Sequence, residues 1–159
     1  MASKSAPRKR VLLRPAWPDE GPALSALALE SKAYWGYDAA FIDQRRDELT
    51  ITRERIGRER IRVAEIDGKV VGFSSVEVSV GKAEVCDLFV LPSHINRGVG
   101  QLLANEMLLY ICRHGIPLVH VEADPNAMAF YARQGFTQCG EVPSHSIPGR
   151  KLPLMEMRF

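Results

Sequence analysis

Apolar residues recur along the chain with two different periods, and the change of period divides it into elements. Near the start, "RVLLRPA" (10–16) is a short apolar run that predicts a first strand. In "PDEGPALSALALESKAYW" the period lengthens. Leu24, Leu27, Ala28 and Ser31 share one helical face, and Asp19 and Glu20 suit the helix N-terminus. A second helix is predicted over 39–49. Alternation then takes over. "IRVAEI" and "KVVGFSSVEVSV" flank Asp67-Gly68, a two-residue hairpin signal. A turn at Gly81-Lys82 leads into "AEVCDLFVL", a strand that Pro92 ends.

Beyond Pro92 the helical period returns over 99–113, with Leu103, Met107, Tyr110 and Ile111 as its stripe. His114, Gly115 and Pro117 stop it: a basic group, a residue free to turn left-handed, and one that cannot continue a helix. "LVHVEA" (118–123) reads as a buried strand, so strand, helix and strand imply a right-handed parallel crossover. Asp124-Pro125-Asn126 opens another helix, with Asp124 as cap and Pro125 in the first turn, and Gly135 ends it. "FTQCGEV" and "KLPLMEMRF", joined by "PSHSIPGR", predict a closing pair of strands. The expected fold class is α+β, a mixed sheet with helices on both faces.

Composition narrows this picture. A chain of 159 residues fits one domain, over 10–159, preceded by a basic tail at 1–9 expected to be disordered. The net charge of +2 is too small to argue for nucleic acid or an anionic membrane. The apolar runs are too short to span a bilayer, and the charged start "MASKSAPRKR" has no apolar segment after it, so a cytoplasmic protein is expected. Cys86, Cys112 and Cys139 have no CxxC spacing and lie among apolar neighbours, which predicts buried free thiols. The histidines and cysteines show no metal-ligand spacing, and no metal is expected.

The candidate chemistry begins in "LPSHINRGVGQLLANEM", where Gly98 and Gly100 stand at a helix entrance despite the cost of glycine there. A P-loop would need a lysine after the second glycine, and a dinucleotide-binding fingerprint would need a third glycine; neither is present. Two readings stay open. The free N–H groups of the helix start can hold a diphosphate that the missing Cβ atoms allow to approach. Alternatively, the glycines serve a tight turn and close helix packing, with no ligand.

"LFVLPSHINRGVGQLL" followed by "VEADPNAMAFYARQGF" resembles the GCN5-related N-acetyltransferase (GNAT) superfamily. The specific part spans 84–136, and the order of elements agrees over the whole chain. The resemblance implies a mostly antiparallel sheet with one splayed parallel pair, and acetyl-CoA as cosubstrate. It implies that loop amides at Ile95, Asn96, Arg97, Gly98, Val99, Gly100 and Gln101 bind the pyrophosphate. Leu88, Phe89 and Val90 would lend their backbone to the pantetheine arm. The family loop usually reads [Q/R]xxGxG; Ile95 at its first position removes a side-chain contact, for which Arg97 compensates or affinity is lower. Transfer is then direct, without an acyl-enzyme. Tyr131, in "FYARQGF", would donate to the departing sulfur. Asn126 would orient the pantetheine amides or a water, with helix capping as the alternative.

Acetyl transfer requires a neutral nucleophile. A lysine-like amine costs about 4.6 kcal/mol to deprotonate at pH 7 and an α-amine about 1.4 kcal/mol. Glu84, Glu122 and Asp87, in that order, are candidate bases; odd spacing on one strand predicts that Glu84 and Asp87 face opposite sides. "ESKAYWGYDAAF" supplies Trp35 and Tyr37 as candidate acceptor walls, with a helix-end aromatic cluster as the alternative for Trp35. Arg150, in "SHSIPGRKLPL", is placed to meet a carboxylate or to serve a surface turn. The expected function is acetylation of a small-molecule or peptide amine, and a homodimer is compatible with the sequence. A catalytically idle acyl-CoA-binding module, or acylation of a protein N-terminus or an aminoacyl-tRNA, are the alternatives. Tyr131 favours an enzyme, and the low net charge argues against tRNA.

Overall fold

The computed structural model describes residues 9–159, so the expected basic tail lies outside the described residues apart from Lys9, whose ammonium sits 2.9 Å from Asp67. The chain runs β1 (Leu12–Pro15), α1 (Gly21–Tyr34), α2 (Ala39–Leu49), α3 (Arg53–Arg58), β2 (Arg60–Ile66), β3 (Lys69–Ser79) and β4 (Lys82–Val90). It continues with α4 (Val99–Arg113), β5 (Leu118–Glu122), α5 (Met128–Gln134), β6 (Thr137–Pro143) and β7 (Lys151–Arg158). One sheet has the order β1-β2-β3-β4-β5-β7-β6. The β4–β5 pair alone is parallel within it, as the strand–helix–strand pattern predicts.

Local chemistry explains why most boundaries are where the pattern puts them. Asp38 caps α2 by accepting from the Phe41 N–H at 2.8 Å. Asp67 and Gly68 both take positive φ, 50° and 77°, as a tight hairpin between β2 and β3 requires. The unforeseen element is α3. None of its six residues is fully buried, and Ile56 alone among them packs an apolar side chain against the core, so no apolar stripe announces it. The local signal is Thr52, whose side chain accepts from the Arg55 N–H at 3.1 Å. β1 is also shorter than expected, because only Leu12 to Pro15 have partners on β2.

Helices cover both faces of the sheet. A Cβ on Gly72 of β3 would stand 3.3 Å from the side chains of Val99 and Leu103, so that face meets α4. Phe89 of β4 faces the other way, with the Lys32 ammonium of α1 5.9 Å from its ring centre. α4 also links two apolar clusters. Its Val99 and Leu103 join Leu24, Val63 and Phe73, while its Met107 and Ile111 join Val85, Val119 and Tyr131. A fully buried side chain of this size contributes roughly 1.5–3 kcal/mol, which fixes α4 against the sheet from end to end.

Two bulges alter expectations. Asp87 pairs with Ser75 and Val85 with Val76, leaving Cys86 as an extra residue in β4. Glu84 therefore lies opposite Glu77, and Asp87 opposite Ser75, on one face. The expectation that Glu84 and Asp87 face opposite sides is corrected: the inserted residue reverses the parity that spacing alone gives. A second bulge leaves Cys139 unpaired in the edge strand β6. The cysteines are exposed, contrary to the expectation of buried thiols. Two stand on bulges and Cys112 on the outer side of α4, where apolar neighbours in sequence do not mean apolar neighbours in space.

Ion pairs surround the sheet and set its acid stability. Hydrogen bonds from Arg14 hold the Glu20 carboxyl below the usual range. Burial opposes ionisation of Glu106, but the Arg60 guanidinium outweighs it and that carboxyl is also lowered. The unfolded chain thus takes up these protons at higher pH than the folded one. The stabilisation is complete above about pH 4.5 and is lost as pH falls through the folded-state values. Urea unfolding should show a lower midpoint at pH 3.5 than at pH 6, and Arg60→Gln should flatten this dependence.

Candidate active site

β4 and β5 pair only through Ala83–Val119, Glu84–His120 and Val85–Val121. Past that point β4 continues along β3 to Val90, while the end of β5 follows β7, its course extended by Ala123 N–H donating to Pro153 O at 2.9 Å. The two strands separate, and Cys86 to Val90 keep an unpaired edge. The Leu91 N–H bonds to Val71 O at 2.8 Å, so alternation turns the peptide groups of Leu88 and Val90 toward that edge. A cleft of about 900 Å³ occupies the gap. Asn96, Gly98, Gly100, Gln101 and Phe130 line it, as do Trp35, Arg45, Glu77 and Glu84.

The loop before α4 is built around donors. Asn96 and Gly98 both have positive φ, 62° and 82°. The Ile95 amide turns back to Pro92 O at 3.4 Å, and the first helical bond runs from Leu102 N–H to Gly98 O at 3.1 Å. Between them, the amides of Asn96 to Gln101 have no acceptor among the described residues. They stand at the positive end of a 15-residue helix whose first turn has no acidic side chain. Gly98 is required by its left-handed backbone. Gly100 is not required by packing, since a Cβ there would lie 3.6 Å from Phe130 and 3.7 Å from Val90, ordinary contacts. Val99 packs into the core, and Arg97 is exposed and does not line the cleft. The Gln101 amide group donates to Asn105 and Gln134.

Tyr131 comes from α5 to the point where the strands part. It is 6% exposed, its ring packs edge-on against Phe130 and Phe136, and it lines the cleft. Burial pushes its phenol up, and the carboxylates of Asp87 and Asp124 add to this, so the hydroxyl keeps its proton. Glu84 and Glu122 also line the cleft, and Glu122 stands 3.4 Å from His145 Nε2. Asp87 is buried and engaged: its Oδ2 accepts from Arg55 and from the Ser75 hydroxyl, both at 2.5 Å.

The acceptor-side residues separate into two groups. Trp35 is 47% exposed at the cleft and meets Tyr34 edge-on. Tyr37 and Arg150 do not line the cleft; they join a network centred on Asp124. The Tyr37 hydroxyl donates to Asp124 at 2.8 Å and accepts from Asn126 Nδ2 at 3.1 Å and Arg150 at 3.2 Å. Asp124 also caps the following turn, accepting from the Asn126 N–H at 2.8 Å, so the cap is Asp124 and the Asn126 side chain is free for Tyr37. Lys32 completes the network at 2.6 Å from Asp124. Burial pushes the Lys32 ammonium down in pKa, against the attraction of Asp124. Burial opposes ionisation of Asp124 too, but Lys32 overcomes it and the carboxyl is lowered.

Lys32, Asp124 as an ion-pair partner, and His145 were not singled out by the sequence pattern. Lys32 was detectable: it continues the i, i+4 series of Leu24 and Ala28, so its stem had to lie on the buried side of α1. Its partner lies 92 residues away and leaves no trace in local sequence.

The chain resembles known proteins over this same architecture. The sequence pattern of the acetyltransferase (GNAT) domain matches residues 57–138, just over half of the chain. An uncharacterized N-acetyltransferase of Methanocaldococcus jannaschii is 28% identical over 124 residues, 70% of this chain; the alignment spans 55% of that relative's length. A PaiA N-acetyltransferase of Thermoplasma acidophilum, solved in complex with coenzyme A, superposes with a TM-score of 0.79 at 20% identity, over 94% of this chain and 99% of that one. A GCN5-related N-acetyltransferase of Rhodopseudomonas palustris gives a TM-score of 0.81 at 21% identity, over 98% and 99%. A ribosomal-protein-alanine N-acetyltransferase of Brucella melitensis gives 0.66 at 26% identity, over 93% and 99%. With the strand split, the donor-rich loop and the family's sequence pattern coinciding in one region, the chain belongs to the GNAT acetyltransferase domain family.

Proposed function

We propose that this protein is an N-acetyltransferase that moves an acetyl group from acetyl-CoA to a primary amine by direct attack. One observation carries the reading: six successive amides, Asn96 to Gln101, without an acceptor among the described residues, at the mouth of a cleft that passes between β4 and β5 to Tyr131. These donors suit a diphosphate, and the helix end adds up to about 2 kcal/mol for a partly buried anion. The unpaired edge at Leu88 and Val90 offers N–H and C=O groups to the amides of a pantetheine arm. The Val90 N–H is a candidate donor to the carbonyl oxygen as it gains charge. The coenzyme A in the Thermoplasma relative supports the same ligand class.

Tyr131 acts as hydrogen-bond donor to the leaving thiolate. Its phenol, raised by burial, is a weaker acid than a thiol near pKa ~8.5, so it stabilises the sulfur without giving up its proton. The sulfur takes its final proton from solvent. Glu84 and Glu122 are the candidate bases, each facing the cleft directly or through one water; Asp87 is already committed to Arg55 and Ser75. Trp35 presents its exposed face to the acceptor. Tyr37 and Arg150 contribute by holding Asp124 and, through it, the wall formed by Lys32. The protein uses no metal for this transfer in our reading.

The test is a thiol-release assay with acetyl-CoA against a panel of amines, run beside calorimetry of acetyl-CoA binding. Tyr131→Phe should lower kcat roughly 100-fold, at the low end for a positioned proton donor, with the dissociation constant of acetyl-CoA nearly unchanged. Equal turnover in both proteins would remove Tyr131 from the mechanism. Binding without thiol release for any amine would favour an idle acyl-CoA-binding module. Gly100→Val should raise that dissociation constant at least ~10-fold, about 1.4 kcal/mol, while leaving the thermal midpoint close to wild type. Unchanged affinity would show that the free amides do not hold the ligand.

A further inference from the structure

His120, Cys139 and Glu156 lie far apart in sequence, on β5, β6 and β7, and meet on one face of the sheet. Each offers one ligand atom, and the three atoms lie within 4.8 Å of one another. Two features of the fold bring them together. His120 and Glu156 are direct cross-strand partners, with Nε2 and Oε2 3.3 Å apart. Cys139 is the bulge residue of β6, left out of the ladder between Gln138 and Gly140 opposite Met155 and Leu154. A bulge re-aims a side chain, and here it brings the thiol toward the His120–Glu156 pair.

We propose that these three side chains form a binding site for a zinc-class divalent cation. The chemistry of the donors suits it: one thiolate, one imidazole and one carboxylate are the ligand types that zinc takes from proteins, with a fourth position left to water. With Zn–N of about 2.0–2.1 Å and Zn–S of about 2.3 Å, two ligands of a tetrahedral ion stand about 3.3–3.7 Å apart. The His120–Glu156 separation already meets that value; the Cys139 thiol, within 4.8 Å of both, donates to Leu154 O at 3.5 Å and must leave that carbonyl to bind the ion. Cys139 is exposed and His120 and Glu156 half-buried, so an ion can reach all three. Arg158 Nε donates to Glu156 Oε1 at 3.2 Å, which leaves Oε2 toward His120; its Nη2 also approaches Oε2, at 3.4 Å. Binding exchanges the Cys139 thiol proton, released to solvent, for the metal–sulfur bond. The bound ion ties the edge strand β6 to β7 and β5. The three residues do not line the cleft, although His120 is the register neighbour of Glu84, which does.

The test uses full-length protein, stripped of metal by a chelator and kept reduced with a phosphine, titrated with Co²⁺ and then Zn²⁺. One equivalent of Co²⁺ should give a thiolate-to-cobalt charge-transfer band that Zn²⁺ abolishes, and Zn²⁺ should raise the thermal midpoint. Cys139→Ser should lose the band, and His120→Gln should weaken Co²⁺ binding at least ~10-fold. The double variant Cys86→Ser/Cys112→Ser, which keeps Cys139 as its sole thiol, should retain the band. No band with that double variant, or an undiminished band in folded Cys139→Ser, would overturn the proposal.

Discussion

The structure turns on a parting of hydrogen-bonded strands. β4 and β5 share three residue pairs and then diverge, because each is committed to a different neighbour, β3 on one side and β7 on the other. Backbone groups in a sheet interior ordinarily have partners, and leaving several of them unpaired in a buried place costs free energy. Here the cleft admits water or ligand to the exposed edge, which removes that cost. The loop before α4, the Tyr131 hydroxyl and the carboxylates of Glu84 and Glu122 all take their positions relative to this gap.

A second constraint ties α1 to the far side of the gap. Lys32 and Asp124 form a buried ion pair that connects α1 to the chain leaving β5. Removing one partner of such a pair costs about 3–5 kcal/mol, because the other is left charged and unpaired. Tyr37, Asn126 and Arg150 add hydrogen bonds or close charge contact to the same carboxylate or its partners. The network is therefore structural in its energetics, and three of its members, Lys32, Asp124 and Asn126, line the cleft. It couples the acceptor-side wall to the turn that introduces α5 and Tyr131.

Much of the fold was legible in the sequence, and the reasons are specific. The bounds of α2 and α4 follow from a capping aspartate, a stripe and a basic–glycine–proline stop, all local signals. The hairpin at Asp67-Gly68 and the crossover were equally local. The two glycines at 98 and 100 identified the loop, since a missing Cβ is visible in sequence. What escaped was information carried by register. The bulge at Cys86 reverses which face Glu84 occupies, and the bulge at Cys139 brings a thiol to a histidine and a glutamate on other strands. Periodicity counts residues along one strand; an inserted residue changes the count only in relation to the partner. For the same reason, the ligand spacing sought along the chain missed three donors gathered across it.

The donors at residues 96–101 belong to the main chain, and this shapes how the loop tolerates change. Whatever side chains occupy 95 to 97, the peptide groups keep their direction as long as the dihedral angles at Asn96 and Gly98 are maintained. An isoleucine at position 95 is thereby compatible with an intact cradle. The demanding requirement in this region is conformational: drift of the amino-acid sequence here is limited by which residues can bend leftward, far more than by which functional groups they bear.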